Sequence, residues 1–304
     1  RYRALAYALY EQLWKPLNIN TERVVIAQDG VFLPFEAFLT APNGNDFLLK
    51  RHAISYTYSA KYLKPPYPRR GNNLLGGFVG FAPESFAAGL KQVPLSGSAA
   101  VLQEVGQNFW FGKKLVHTEA TKANFLRYAP DARVIQLFTH AEADSTEATE
   151  PKVYFQDAAL RLSELNQVER FGAQLLVLSA CQTGVGANQR GEGVFSLARG
   201  FAALGIPSTI TTLWRVEDQP TYELTKLFYK YLHQDLPKDV ALQRAKLDWL
   251  AQGGAADALP AQWAGMILVG DAQPLPVSGL QFVVWGLGVL LALGAFWWWR
   301  RKLN

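Results

Sequence analysis

The tightest constraint on this chain is a set of short stretches rich in apolar and β-branched residues at successive positions, not on alternate ones. GGFVGFA at 76–82, RVIQLFT at 133–139, AQLLVLS at 173–179 and PSTITTLW at 207–214 read as strands buried on both faces. Helical patterns separate them: SGSAAVLQEVGQNF and TEATKANFLRYA between the first two, GVFSLARGFAALG between the last two. A strand buried on both faces needs a layer of structure on each side. Helices placed between consecutive strands supply both layers, so the pattern predicts an α/β fold with a mostly parallel central sheet.

The remaining segments fit around that sheet. RVVIAQDGVFLPFEAF reads as a strand, a turn at Asp29-Gly30, a short return and a helix opening at Pro34. VYF at 153–155 reads as a short excursion, after the acidic loop AEADSTEATEPK at 141–152. Two long helices, EDQPTYELTKLFYKYLHQ and PKDVALQRAKLDWLAQG, precede a last apolar stretch, WAGMILVG. At the other end Leu5, Leu9 and Leu13 recur every four residues and predict a helix within residues 1–20. The chain begins at Arg1 without methionine or signal-peptide pattern, so it reads as a processed or excised piece with any export signal upstream.

Residues 280–299, LQFVVWGLGVLLALGAFWWW, carry no charge. A helix of this length rises about 1.5 Å per residue and matches a hydrocarbon layer of about 30 Å. Trp297, Trp298 and Trp299 form an aromatic girdle before the basic tail 300–304, and AQPLPVSG at 272–279 is the linker from the domain. The sequence therefore predicts a single-pass anchor contacting membrane lipid through 280–299. Arg300, Arg301 and Lys302 place the C-terminus in the cytosol and the domain on the non-cytoplasmic side. The alternative is a tail anchor with the domain in the cytoplasm, which suits a reactive thiol.

Charge and composition exclude other classes. The net charge is +5 and the cations are scattered rather than gathered on one element, so nucleic acid is not an expected partner. One cysteine excludes an internal disulfide framework, and His52, His117, His140 and His233 have no partners at metal-ligand spacing, so no metal is expected.

In a parallel sheet, the loops at the carboxyl ends of the strands open into the crevice that carries chemistry. RVIQLFT ends on His140, and AQLLVLSA ends on Cys181, the only cysteine. An imidazole beside a thiol accepts its proton and later returns it to a leaving group. Gly184 and Gly186 let backbone N–H groups crowd the sulfur and face a developing oxyanion. Taken singly, the cysteine also reads as a small buried hydrophobe and the histidine as a structural hydrogen-bonder.

Histidine followed by cysteine on a later strand is the order of caspase-type peptidases. From about Thr21 to Asp271 the chain resembles CHAT domains, bacterial relatives of caspases and separases usually found downstream of tetratricopeptide repeats. The resemblance is carried by VVIAQDGVFLPFEAF, ATKANFLRYAPDARVIQLFTHAEAD, the block LVLSACQTGVGANQRGEGVFSLARGFAALGIPSTITTLWRVEDQPTYEL, LPKDVALQRAKLDWL and WAGMILVGD. It implies a caspase-like three-layer fold over residues 21–271, a His140–Cys181 dyad, Gly184 in the loop after the nucleophile, and no cofactor. Family members often carry glycine where this chain has Ala141, an oxyanion position at which φ > 0 favours glycine. The strand STITTLWRVED would lie antiparallel to a bound peptide, with Trp214 walling the second subsite and Glu217 or Asp218 near the first. An acid there suits a basic residue before the cleaved bond, and Asp218 equally suits the start of a helix. The partners implied are a protein or peptide substrate and an upstream repeat region or regulatory protein. Two function classes follow: a membrane-anchored cysteine endopeptidase, or a catalytically idle caspase-fold interaction module.

Overall fold

The computed structural model describes residues 2–28, 32–57, 77–109, 112–142, 150–168, 170–179, 196–214, 216–254 and 258–275. Its centre is an eight-stranded sheet. The strands are β1 (Arg23–Ala27), β2 (Ala53–Thr57), β3 (Phe78–Ala82), β4 (Lys113–Val116), β5 (Val134–Phe138), β9 (Leu175–Ser179), β10 (Ser208–Thr212) and β11 (Met266–Gly270). Their spatial order is β1-β2-β11-β10-β9-β5-β3-β4. Every neighbouring pair is parallel except β10 and β11. The carboxyl ends of β3, β4, β5, β9 and β10 therefore share one edge. The short strands β6 (Ala141–Glu142), β7 (Lys152–Tyr154) and β8 (Ala159–Arg161) form a separate antiparallel sheet, which absorbs the VYF excursion.

Strand alternation divides the core into two layers. Val134 and Phe138 of β5, with Leu175 and Val177 of β9, face α2 (Ser98–Gly106), α5 (Asp218–Leu232) and α6 (Lys238–Gln252). Ile135, Leu137, Leu176 and Leu178 face α3 (Lys122–Tyr128) and α4 (Ser196–Ala203). This is the doubly covered sheet that strands buried on both faces require. Helix α2 crosses β3 closely: a Cβ on Gly80 would sit 2.1 Å from Leu102 Cδ1. A third cluster, with Trp14, Phe38, Leu48, Tyr56 and Ile267, covers β2 and β11.

Four local expectations change. The helix expected to open at Pro34 is a single 3₁₀ turn, Phe35–Ala37, because Phe38 returns to extended backbone. Strands β2 and β4 add to those read from the sequence. The last apolar stretch becomes β11, which runs antiparallel to β10. The N-terminal segment is helical from α1 (Tyr2–Leu9) through a π turn at Tyr10–Trp14, but Leu5 and Leu13 are exposed while Ala6 and Trp14 are buried. Among the described residues no helix is long and apolar enough to cross a membrane. The anchor expected at 280–299, the tail 300–304 and the second half of the linker, 276–279, lie outside the described residues.

Candidate active site

The apolar run of β5 fixes His140 at the carboxyl edge. Thr139 Oγ1 donates to the Tyr154 carbonyl, and Tyr154 N–H donates to the His140 carbonyl at 2.9 Å, so β7 clamps the strand end. The imidazole is buried, at 9% exposure. The loop after β3 covers it: the Phe86 ring lies 5.2 Å from the imidazole centroid, and Nε2 is 2.8 Å from the Val93 carbonyl. A carbonyl oxygen only accepts, so Nε2 carries the proton in this contact. The neutral ring then keeps its lone pair on Nδ1, which is the basic nitrogen.

Strand β9 is the direct neighbour of β5. Phe138 pairs with Ser179, an offset of 41 residues, and the same interval separates His140 from Cys181 in the sequence. Cys181 and Gly184 themselves lie outside the described residues. Ala141 starts β6 opposite Val153 and is not among the non-glycine residues with left-handed backbone.

Beneath this edge runs a buried polar chain. Tyr229 Oη donates to Gln136 Oε1 at 3.0 Å, and Gln136 Nε2 donates to Ser179 Oγ at 3.0 Å. Ser179 Oγ is 3.2 Å from Thr225 Oγ1, whose proton goes to the Thr221 carbonyl at 2.7 Å. The direction is therefore fixed: Ser179 donates to Thr225. These bonds lock α5 onto β5 and β9 in one register, because a slip would bury several polar groups unpaired.

That register places the start of α5 near the histidine. Asp218 is the first helical residue, while the N-cap is Glu217, whose side chain makes no capping bond. Burial raises the Asp218 carboxyl above the ordinary carboxylate range, and nearby His140, when protonated, opposes that rise. Glu217 is exposed, and its carbonyl accepts from Thr221 Oγ1 at 2.8 Å.

Trp214 follows β10 on the same edge. Its Nε1 donates to the Ala261 carbonyl at 2.9 Å, and its ring packs against Gly265. A Cβ at Gly265 would stand 2.8 Å from ring atom Cε2, so only glycine leaves the indole this position. Two parts of the site were not legible in the sequence. The Val93 carbonyl carries no side-chain signature, and Phe86 sits in an unpatterned loop. Gln136 did carry a signal, as the lone amide in an otherwise apolar strand.

A family model described as the CHAT domain matches residues 3–271. Among solved structures, the fold is similar to the Arg-specific cysteine proteinase gingipain R, at TM-score 0.55 and 10% identity, covering 90% of this chain and 67% of that one. The complex of Porphyromonas gingivalis RgpB pro- and mature domains matches at TM-score 0.54 and 8% identity, covering 90% and 69%. Saccharomyces cerevisiae separase, in its securin complex, matches at TM-score 0.51 and 10% identity, covering 78% of this chain and 14% of that one. No curated protein matches the chain in sequence. The fold is thus α/β and caspase-like, with a mostly parallel central sheet similar to those of gingipain R and separase.

Proposed function

We propose that this chain, which belongs to the CHAT-domain family, is a cysteine endopeptidase in which His140 activates Cys181 and Asp218 favours a basic residue before the cleaved bond. The observation that carries this reading is the β5–β9 register. It ends on Phe138 beside Ser179, two residues before His140 and Cys181 respectively in the sequence.

In the proposed mechanism the Cys181 thiol gives its proton to His140 Nδ1 as sulfur attacks the substrate carbonyl. Backbone N–H groups of the glycine-rich loop around Gly184 face the oxyanion. The imidazolium then protonates the departing amine, leaving a thioester. Water attacks that ester with His140 again as base, and the thiol is restored. Val93 holds the ring in the required tautomer throughout. Asp218 offers a partly desolvated negative charge for Arg or Lys, Glu217 adds an exposed one, and Trp214 walls the neighbouring subsite. Gingipain R, similar in fold, is described as Arg-specific.

Localisation forms a second part of the proposal. Residues 280–299 anchor the protein in lipid, with the domain on the non-cytoplasmic side. Protease added to intact cells or spheroplasts should digest the domain; protection would favour a cytoplasmic tail anchor instead.

Peptide hydrolysis tests the activity. Turnover should occur after Arg or Lys and fall to background in Cys181→Ala. Asp218→Asn should lower kcat/KM for Arg substrates about 10- to 100-fold, or about 1.4–2.8 kcal/mol. Undiminished turnover in Cys181→Ala contradicts the proposal, and cleavage after Asp contradicts the specificity.

A further inference from the structure

Glutamate is an uncommon choice where backbone is left-handed, yet Glu84 has φ 61°. Glycine or asparagine would hold that conformation at lower cost. The side chain must therefore do something that offsets the strain. It sits just past β3, at the start of the loop that covers His140.

Glu84 closes that loop twice. Its carbonyl accepts from Leu95 N–H at 2.8 Å, and its Oε1 accepts from Gly97 N–H at 2.7 Å. Its other oxygen, Oε2, is 3.2 Å from Nδ1 of His117, a residue that itself has φ 49°. Between these ties lie Phe86, which packs on the imidazole, and Val93, whose carbonyl takes the Nε2 proton. Val93 is 66% exposed and so is not held by burial of its own side chain. The loop is also tied at Ala87, whose N–H donates to the Gln156 carbonyl at 2.8 Å, and Val93 lies between that tie and the Glu84 bonds to Leu95 and Gly97.

We propose that Glu84 is a positioning residue that closes the 84–97 loop, holds the Val93 carbonyl on His140 Nε2, and so keeps the basic lone pair on Nδ1. The functional consequence rests on the His140–Cys181 reading; the tautomer does not.

The test uses the whole chain labelled with ¹⁵N-histidine, at a pH where the ring is neutral, with the His140 resonances assigned from a His140→Gln variant. Ring-nitrogen shifts report the tautomer directly. Glu84→Gly and Glu84→Asn both accept left-handed backbone, and neither brings a side-chain acceptor to Gly97. Glu84→Gln keeps that acceptor. In the wild type the Nε2–H form should dominate. In the Gly and Asn variants the two tautomers should mix, and alkylation of Cys181 should slow at least threefold, with no fall in thermal midpoint for Gly. The Gln variant should restore both readouts. Unchanged His140 shifts in the Gly and Asn variants overturn the proposal, whether or not stability falls, and so does a Gln variant that behaves like Gly. If His140→Ala leaves alkylation unchanged, the dyad fails instead, and the nitrogen shifts still decide the role of Glu84.

Discussion

Gln136→Leu removes the hub of the buried chain while nearly keeping its volume. Gln136 and Tyr229 are at 0% and 1% exposure, so water does not replace the lost partners. The substitution orphans the Tyr229 hydroxyl and takes one of two bonds from Ser179, which still donates to Thr225. An orphaned buried donor costs about 1–3 kcal/mol, and the lost Ser179 bond about 0.5–1.5 kcal/mol. The extra apolar surface of leucine offsets part of this. The net loss should be about 2–3 kcal/mol, read as a lower urea midpoint at unchanged slope. Tyr229→Phe alone should also destabilise, but in the Gln136→Leu background it removes the orphan and should restore about 1 kcal/mol or more. Strict additivity, or a Gln136→Leu cost under about 0.5 kcal/mol, refutes the argument that this network locks α5 to the strands.

Asp218→Asn tests whether the acid is kept at a cost in stability. Because burial raises its carboxyl, the folded protein holds that proton more tightly than the unfolded chain does. Its contribution is fully present below the ordinary carboxylate range and is lost as pH rises through the raised value. The Asn variant should therefore melt higher than wild type at neutral pH, with the gap closing in acid; a lower melting point at neutral pH contradicts this. Gly265→Ala should displace the Trp214 ring through the 2.8 Å contact and raise KM more than it lowers kcat. An unchanged KM would remove Trp214 from the substrate wall.

The fold was most legible where burial is complete. Strands β3, β5, β9 and β10 read directly, because each is a short β-branched or apolar run set off by helical patterns and turns. Strand β4 was not read: it is an edge, and Lys113 is exposed. Strand β2 is buried, but no helical pattern brackets it. The reversal at β11 depends on where α6 and α7 (Pro260–Trp263) deliver the chain, which no local pattern encodes. The leucine period of α1 marked a helix but not its buried face, because Trp14 reaches the third cluster from beyond the regular turns. At the site, His140 stood out because it ends an apolar strand. Val93 did not, since it acts through its backbone carbonyl, while Asp218 was named from the resemblance alone.

The most direct test of the His140–Cys181 pairing uses the fact that the chain has one cysteine. All alkylation by iodoacetamide then reports Cys181. The rate should be measured against pH in the wild type and in His140→Ala. A dyad predicts a thiol that reacts in wild type well below the ordinary inflection near pH 8.5, and an inflection that returns to about 8.5 in His140→Ala. Superimposable profiles, both turning over near 8.5, would contradict it.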